Sequence, residues 1–280
     1  MFVCGHFQFD LSRPLVMGII NVTPDSFSDG GRHLQRDAAL AYAHQLIDEG
    51  ADILDIGGES TRPGAQSVGI QEELDRVIPI IEGLCGASAP ISPVPISIDT
   101  SKPEVMQAAI AAGARMVNDI DALQDAAAMN VVAASNVAVC LMHKRGNPQT
   151  MQEQPLYQNV VDEVGAFLCV RIAAAEAAGI RRERIVIDPG FGFGKTLAHN
   201  LALLRELKKL TELGVPVLAG LSRKSMLGAL TGQDVVDRLP ASIAAALIAV
   251  ERGAGIVRVH DVRATVDALK IWNAVNGAGL

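Results

Sequence analysis

Residues Ile185–Lys195 read IVIDPGFGFGK, and the fold follows from how that stretch starts and stops. Ile185, Val186 and Ile187 are β-branched and apolar, the composition of a strand buried on both faces. Asp188 places a carboxylate where the strand ends, and Pro189, with no backbone N–H, stops the ladder. Gly190, Gly192 and Gly194 then alternate with Phe191 and Phe193. Such a run is too permissive to pack as an element. It suits a loop where backbone or ligand comes close and two rings flank a flat partner. Asp188 is therefore expected at the floor of a ligand site, on the carboxyl end of a parallel strand. A tight βα turn with a capping aspartate is the plainer alternative.

The same grammar repeats in both directions. Short apolar runs at Leu15–Ile20, Ile53–Ile56, Ile96–Ile98, Arg115–Val117, Val137–Met142, Val215–Ala219 and Gly255–Val259 each end in a polar or glycine-rich loop. Helical spacing fills the intervals, over Asp37–Glu49, Gln71–Leu84, Glu104–Ala112, Gln124–Ser135, Val160–Ala178, Leu201–Leu213, Ala241–Gly253 and Ala264–Val275, with a shorter segment from Ser225. Phe2–Asp10 alternates around Gly5-His6, as a small N-terminal hairpin does. The Pro/Ser-rich linker Ala87–Pro95 is only loop-sized, so residues 1–280 are expected to be one domain. Eight strand–helix units require a parallel sheet, and a chain of this length fits a single (β/α)8 TIM barrel of ~250 residues plus a short N-terminal hairpin. A doubly wound open sheet is the runner-up. It concentrates ligand groups at one crevice, whereas here almost every strand is followed by a polar loop.

Composition narrows the function. With 49% hydrophobic residues and 39 glycines and prolines (26 Gly, 13 Pro), the chain suits a globular α/β protein with many short turns. A net charge of -7 argues against a nucleic-acid partner, which selects a basic face. No run of ~20 apolar residues exists to span a membrane, and no basic n-region marks a signal peptide. Cys4, Cys85, Cys140 and Cys169 are widely spaced and never CxxC, which reads as free thiols in a reducing, cytoplasmic compartment.

At the strand ends stand Asn21, Thr61-Arg62, Asp99, Asn118, Asp188, Lys224, and Arg258 with His260. Asp99, Asn118 and Asp188 suit the deep end of a pocket, because a carboxylate offers two side-by-side acceptors to a fused N–H/NH2 edge of a planar heterocycle. Arg62, Arg258 and His260 suit an anion nearer the mouth, where guanidinium forks match phosphate oxygens. Lys224 stands between them, placed to donate to a carbonyl or ring nitrogen. Any one of these alone reads more simply as a helix cap or a solvated surface group. The repetition of a functional group at one register of nearly every unit is what favours a site. Gly194-Lys195-Thr196 resembles the end of a P-loop, but Pro189 stands where GxxxxGK[ST] needs its first glycine. No Cys/His cluster offers a zinc site. A magnesium ion held chiefly by a ligand's phosphates, with Asn21 as one protein oxygen, is compatible with the loop.

Several motifs strongly resemble those of the dihydropteroate synthase family: MGIINVTPDSFSDGG (Met17–Gly31), DIGGESTRPG (Asp55–Gly64), SIDTSKPEV (Ser97–Val105), VND (Val117–Asp119), LMH (Leu141–His143), DPGFGFGK (Asp188–Lys195), GLSRKS (Gly220–Ser225) and RVHDV (Arg258–Val262). The likeness spans nearly the whole chain in the family's order. It implies a (β/α)8 barrel, a homodimer, and condensation of 6-hydroxymethyl-7,8-dihydropterin diphosphate with p-aminobenzoate, using Mg2+ and releasing diphosphate. It assigns the pterin to Asp99, Asn118, Asp188 and Lys224, with Met142 and Arg258 against its faces. It assigns the diphosphate to Asn21, Arg62, Arg258 and His260, the Mg2+ to Asn21, and p-aminobenzoate to Thr61, Pro63, Phe193, Ser222 and Arg223. Lys224, Arg258, His260 and Asp99 are then the residues expected to carry the chemistry, and closure of Val22–Gly31 would exclude water. Two departures from the family pattern stand out, Asp121-Ala122 and the charged pair Lys144-Arg145. The nearest rival, a pterin-binding methyltransferase barrel, needs neither the NVTPDSFSDGG loop nor a diphosphate clamp. A silent, pterin-binding paralogue would be expected to lack Lys224, Arg258 or His260, and all three are present.

Overall fold

The computed structural model describes residues 1–23, 32–59, 67–85, 92–146 and 155–277. The N-terminal alternation forms a hairpin in which β1 (Phe2–Cys4) pairs antiparallel with β2 (Phe7–Phe9). Eight further strands follow: β3 (Leu15–Asn21), β4 (Ile53–Gly57), β5 (Ile96–Asp99), β6 (Met116–Asp119), β7 (Ala138–Met142), β8 (Ile185–Asp188), β9 (Leu218–Ala219) and β10 (Ile256–Val259). They lie in the order β8-β7-β6-β5-β4-β3-β10-β9, every pairing parallel. A parallel bridge between Ile187 and Val217, with the Ile187 N–H donating to the Pro216 carbonyl at 3.0 Å, joins the two outer strands. Sequential neighbours all the way round, and a joined edge, make this a barrel and dispose of the open sheet. The run expected over Val215–Ala219 is a strand only at its last two residues; Pro216 has no N–H to give the ladder.

The helices on the outside are α1 (Arg32–Asp48), α2 (Ile70–Cys85), α3 (Pro103–Ala112), α4 (Ala126–Ala133), α5 (Val160–Ala177), α6 (Leu197–Arg205), α7 (Leu207–Thr211), α8 (Ser225–Thr231), α9 (Leu239–Glu251) and α10 (Val262–Asn276). Caps account for where several begin. Asp125 accepts from the N–H groups of Ala127 and Ala128, so α4 starts at Ala126 and not at Gln124. The single helix expected over Leu201–Leu213 is two. α6 starts four residues earlier because Thr196 and His199 form a reciprocal capping box. The chain breaks at Glu206, whose φ of -108° and ψ of 20° leave the helical region. No helix among the described residues is long and apolar enough to cross a membrane.

All eight barrel strands are buried along most of their length, and the alternation of inward and outward residues positions the site. Outward side chains pack under the helices in one apolar cluster. A second, smaller cluster contains the lower inward residues Leu15, Ile53, Met116, Ala138, Val186 and Ile256, closed from below by Phe2 and Cys4 of the hairpin. Two residues further up the same inward rows stand Met17, Asp55, Asn118, Cys140, Asp188 and Arg258. The barrel is dry and apolar at its amino end and turns polar towards its carboxyl end. Residues 24–31 of the loop expected to close over the site lie outside the described residues, as do Thr61, Arg62, Pro63 and 87–91 of the linker.

Candidate active site

The floor is built around Arg258, which rises from β10 between two carboxylates. Its Nε donates to Asp55 Oδ2 at 2.5 Å and its Nη2 to Asp99 Oδ2 at 2.7 Å. Asn118, at the end of β6, donates from Nδ2 to the same Asp55 oxygen at 2.9 Å. Asp55 is fully buried, and Asp99, Asn118 and Asp188 are all below a tenth exposed. Asp188 Oδ1 accepts the Gly190 N–H at 2.7 Å, which ties the carboxylate to the glycine-rich turn. Lys224 donates to the Phe191 carbonyl, and its ammonium sits 4.7 Å from the centroid of the Phe193 ring. Met142, 4% exposed, closes the β7 side. The sequence thus brings Asp99, Asn118, Met142, Asp188, Lys224 and Arg258 to one place, as expected.

Burial sets the electrostatics. It pushes the Asp99 carboxyl up to about 7, with Arg258 opposing and the nearby Asp55 charge adding to the rise. It pushes Asp188 up as well, against the pull of Lys224. It lowers Lys224 to about 8, with Asp188 holding it back from falling further. Burial also works to lower Arg258, but Asp55 and Asp99 outweigh it and keep the guanidinium charged. One oxygen on each of two carboxylates, Asp55 Oδ1 and Asp99 Oδ1, is buried without a hydrogen-bond partner among the described residues. A buried carboxylate oxygen left unpaired is destabilising by ~1–3 kcal/mol. A ligand carrying N–H donors would relieve both.

At the rim, Ser222 Oγ lies 3.0 Å from His260 Nδ1 and accepts the His260 N–H at 3.3 Å. Arg223 makes a two-pronged pair with Asp261, at 2.6 and 3.1 Å. Its backbone sits at a φ of 58°, held by Ser242 Oγ accepting its N–H at 2.9 Å. The β9 and β10 loops are therefore locked together beside the floor. Among Arg258's nitrogens, Nη1 is committed to neither carboxylate.

The sequence profile of the family described as "Pterin binding enzyme" matches residues 17–260. The dihydropteroate synthase of Escherichia coli K12 is 49% identical over 271 residues, covering 97% of this chain and 95% of that one. The Xanthomonas albilineans dihydropteroate synthase solved with 4-aminobenzoic acid superposes with a TM-score of 0.88 at 57% identity, over 95% of this chain and 94% of that one. A second structure of the Xanthomonas enzyme, in complex with 7,8-dihydropteroate, gives a TM-score of 0.86 at 52% identity, over 98% of this chain and 97% of that one. The chain belongs to the dihydropteroate synthase family.

One floor residue was not singled out by sequence. Asp55 stands two residues before the end of β4, flanked by Leu54 and Ile56 inside the strand and not at its end, so only its inward register marks it. Both departures from the dihydropteroate synthase pattern find partners. Lys144 pairs with Asp121 at 2.6 Å, joining the loops after β6 and β7. Arg145 pairs with Glu163 at 3.0 Å and lies 4.6 Å from the centroid of the Tyr157 ring. The two departures in part answer each other. For magnesium, no group of three or more His, Cys, Asp or Glu side chains among the described residues is arranged to hold an ion. Half-buried Asn21, at the end of β3 beside Gly57, supplies a single amide oxygen. That donor set suits a hard cation carried mainly by phosphate oxygens and not one caged by protein.

Proposed function

We propose that the Asp55–Arg258–Asp99 floor, with Asn118, Asp188 and Lys224, binds the pterin ring of 6-hydroxymethyl-7,8-dihydropterin diphosphate. The reaction is that of the dihydropteroate synthase family: p-aminobenzoate displaces diphosphate from the pterin methylene, giving 7,8-dihydropteroate. The observation that carries the site assignment is the pair of buried, unpartnered oxygens on Asp55 and Asp99 at the end of a dry barrel. A pterin edge presents the donors they lack, Lys224 reaches a ring acceptor, and Met142 and Arg258 lie against the ring faces.

The diphosphate would be taken by Asn21, Arg62, Arg258 and His260, and Mg2+ at Asn21 would neutralise phosphate charge when bound. Thr61, Pro63, Phe193, Ser222 and Arg223 form the p-aminobenzoate side, which is also where a sulfonamide, as in the Yersinia pestis enzyme solved in a sulfonamide drug complex, would sit. No strong base is needed. The C–O bond breaks with its electron pair leaving on diphosphate, and the electron-rich ring carries the resulting cation. Buried carboxylates at Asp99 and Asp188 stabilise that positive charge, while fixed cations at the rim stabilise the leaving group. The amine then forms the C–N bond and releases its proton.

We further propose a single-domain chain that works as a homodimer in the cytoplasm. The four cysteines are free thiols, which suits a reducing compartment. Leu230, Val236, Ile271 and Val275, on or beside α8 and α10, are each more than half exposed, apolar surface that a second copy could cover. The experiment that tests the reaction is diphosphate release under single turnover. Slow cleavage of pterin diphosphate without p-aminobenzoate is expected, and strictly simultaneous loss of both substrates would refute the dissociative order.

A further inference from the structure

Behind the floor lies a buried cation that the reaction derived above does not use. Lys195 is 3% exposed, and its ammonium turns back under the glycine-rich loop it follows. Nζ lies 3.0 Å from His143 Nδ1 and donates to the carbonyls of Gly190 at 2.9 Å and Phe193 at 3.0 Å, with the His143 carbonyl at 3.3 Å. No carboxylate of the described residues forms an ion pair with it. An apolar side chain would fill such a space without burying a charge, so the ammonium is retained for what it holds.

What it holds is a turn. The Phe193 N–H donates to the Gly190 carbonyl at 3.1 Å, and Lys195 grips the carbonyls of both these residues. Gly190, Gly192 and Gly194 take positive φ of 67°, 81° and 62°, so three of the residues in and beside the turn bring no side chain to stiffen it. From the other side, Lys224 donates to the Phe191 carbonyl and sits over the Phe193 ring. The Gly192 N–H donates to Asn200 Oδ1 at 2.7 Å, and Asn200 in turn donates to the Lys195 carbonyl at 3.3 Å. The two lysines therefore clamp one turn between them, one from the dry side and one from the pocket.

We propose that Lys195, seated on His143, is a positioning residue for the p-aminobenzoate step, fixing the Phe193 ring through the Gly190–Phe193 turn. This rests on the assignment of Phe193 to the aminobenzoate side. Burial lowers His143 to about 3, so the ring is a neutral acceptor at working pH, and burial lowers Lys195 to about 7 against the pull of Asp188.

The test is steady-state kinetics with either substrate varied, together with calorimetric titration of a pterin, on Lys195→Met, Phe193→Ala and the double variant. Loss of this buried hydrogen-bond anchor is expected to raise KM for p-aminobenzoate about tenfold, with pterin affinity and the KM for pterin diphosphate essentially unmoved. The double variant should be no worse than the worse single one, because both act through the same ring. His143→Leu, which removes the acceptor, should repeat the Lys195→Met effect, and His143→Asn, whose amide oxygen can stand near the Nδ1 position, should restore most of the loss. That pair decides the matter if Lys195→Met does not fold. Equal losses on both substrates, additive effects of the two substitutions, or His143→Asn no better than His143→Leu would each overturn the proposal. A normal aminobenzoate KM in Phe193→Ala sinks the subsite assignment itself. A defect in Phe193→Ala with none in Lys195→Met sinks only the role of Lys195.

Discussion

Replacing Asp55 tests whether the floor is a unit organised by Arg258. Two donors converge on Asp55 Oδ2, Arg258 Nε at 2.5 Å and Asn118 Nδ2 at 2.9 Å, at a side chain with no exposure. Asp55→Asn keeps an acceptor at that oxygen and removes the charge. A charge-assisted hydrogen bond contributes ~1.5–3 kcal/mol, and a neutral acceptor gives roughly half as much. The loss is then about 1–1.5 kcal/mol, close to tenfold in kcat/KM for pterin diphosphate. Asp55→Ala also strands a guanidinium N–H and an amide N–H in a dry site. Removing one partner of a buried ion pair usually costs about 3–5 kcal/mol. Arg258 keeps Asp99 at 2.7 Å, so the lower end applies, and ~3 kcal/mol is more than a hundredfold in rate. The assay is kcat/KM with pterin diphosphate varied at saturating p-aminobenzoate, backed by pterin titration calorimetry. The alanine variant should fall well below the asparagine one, with pterin affinity falling in step and the aminobenzoate KM held. If both variants keep parental kcat/KM and pterin affinity, Asp99 alone sets Arg258, and Asp55 has no part in the floor.

Asp99 gives a pH dependence whose sign is fixed by its burial. Its carboxyl, raised from 3.8 to about 7, keeps in the folded apo protein a proton that the unfolded chain has already released. Its stabilising contribution is full below 3.8 and lost as pH rises through about 7, whereas pterin binding, which needs the carboxylate, should tighten over the same upper limb. A pterin affinity that is flat from acid to mildly alkaline pH would count against Asp99 as a ring acceptor. The Asp121–Lys144 pair is partly exposed, with side chains 35% and 15% accessible, so its coupling should be modest, about 0.5–1 kcal/mol and weakened by salt. A double-mutant cycle of Asp121→Asn and Lys144→Met on thermal unfolding measures it, and strict additivity would show that the two departures from the family pattern are independent.

Much of this site can be read from the chain because period-two alternation and strand termination act together. An inward polar residue in the last two positions of a buried strand points towards the carboxyl end of the barrel axis, and Asp99, Asn118 and Asp188 are legible on that ground. Asp55 escaped it because β4 continues to Gly57, leaving the carboxylate inside the strand and not at its end. Only the register that sets Asp55 beside Ile19 and Ser97 gives it away. Lys195 escaped for another reason. Its local sequence suggests only a broken P-loop, while the partner that explains it, His143, lies 52 residues back on another strand's loop. The helix break at Glu206 was hidden because apolar spacing runs on through Leu203, Leu207 and Leu210, all buried, and a change of backbone direction leaves that spacing intact.

The same alternation explains why so many charges gather on the barrel axis and why they are left incomplete. Phe2 and Cys4 of the hairpin close the amino end against Leu15, Ile53, Met116 and Val186, so little water reaches the floor from below. Among the described residues, the carboxylates of Asp55, Asp99 and Asp188 are drawn to Arg258 and Lys224, with Lys195 acting on Asp188 from behind. Arg258 satisfies one oxygen of each of two carboxylates and leaves the other bare. In an open cleft water would cover those oxygens and weaken any preference for a ligand. Over an apolar plug the missing donors are most effectively supplied from above, by a flat ring with N–H groups along one edge. The specificity of the site is thus a property of the dry end of the barrel as much as of the residues that touch the ring.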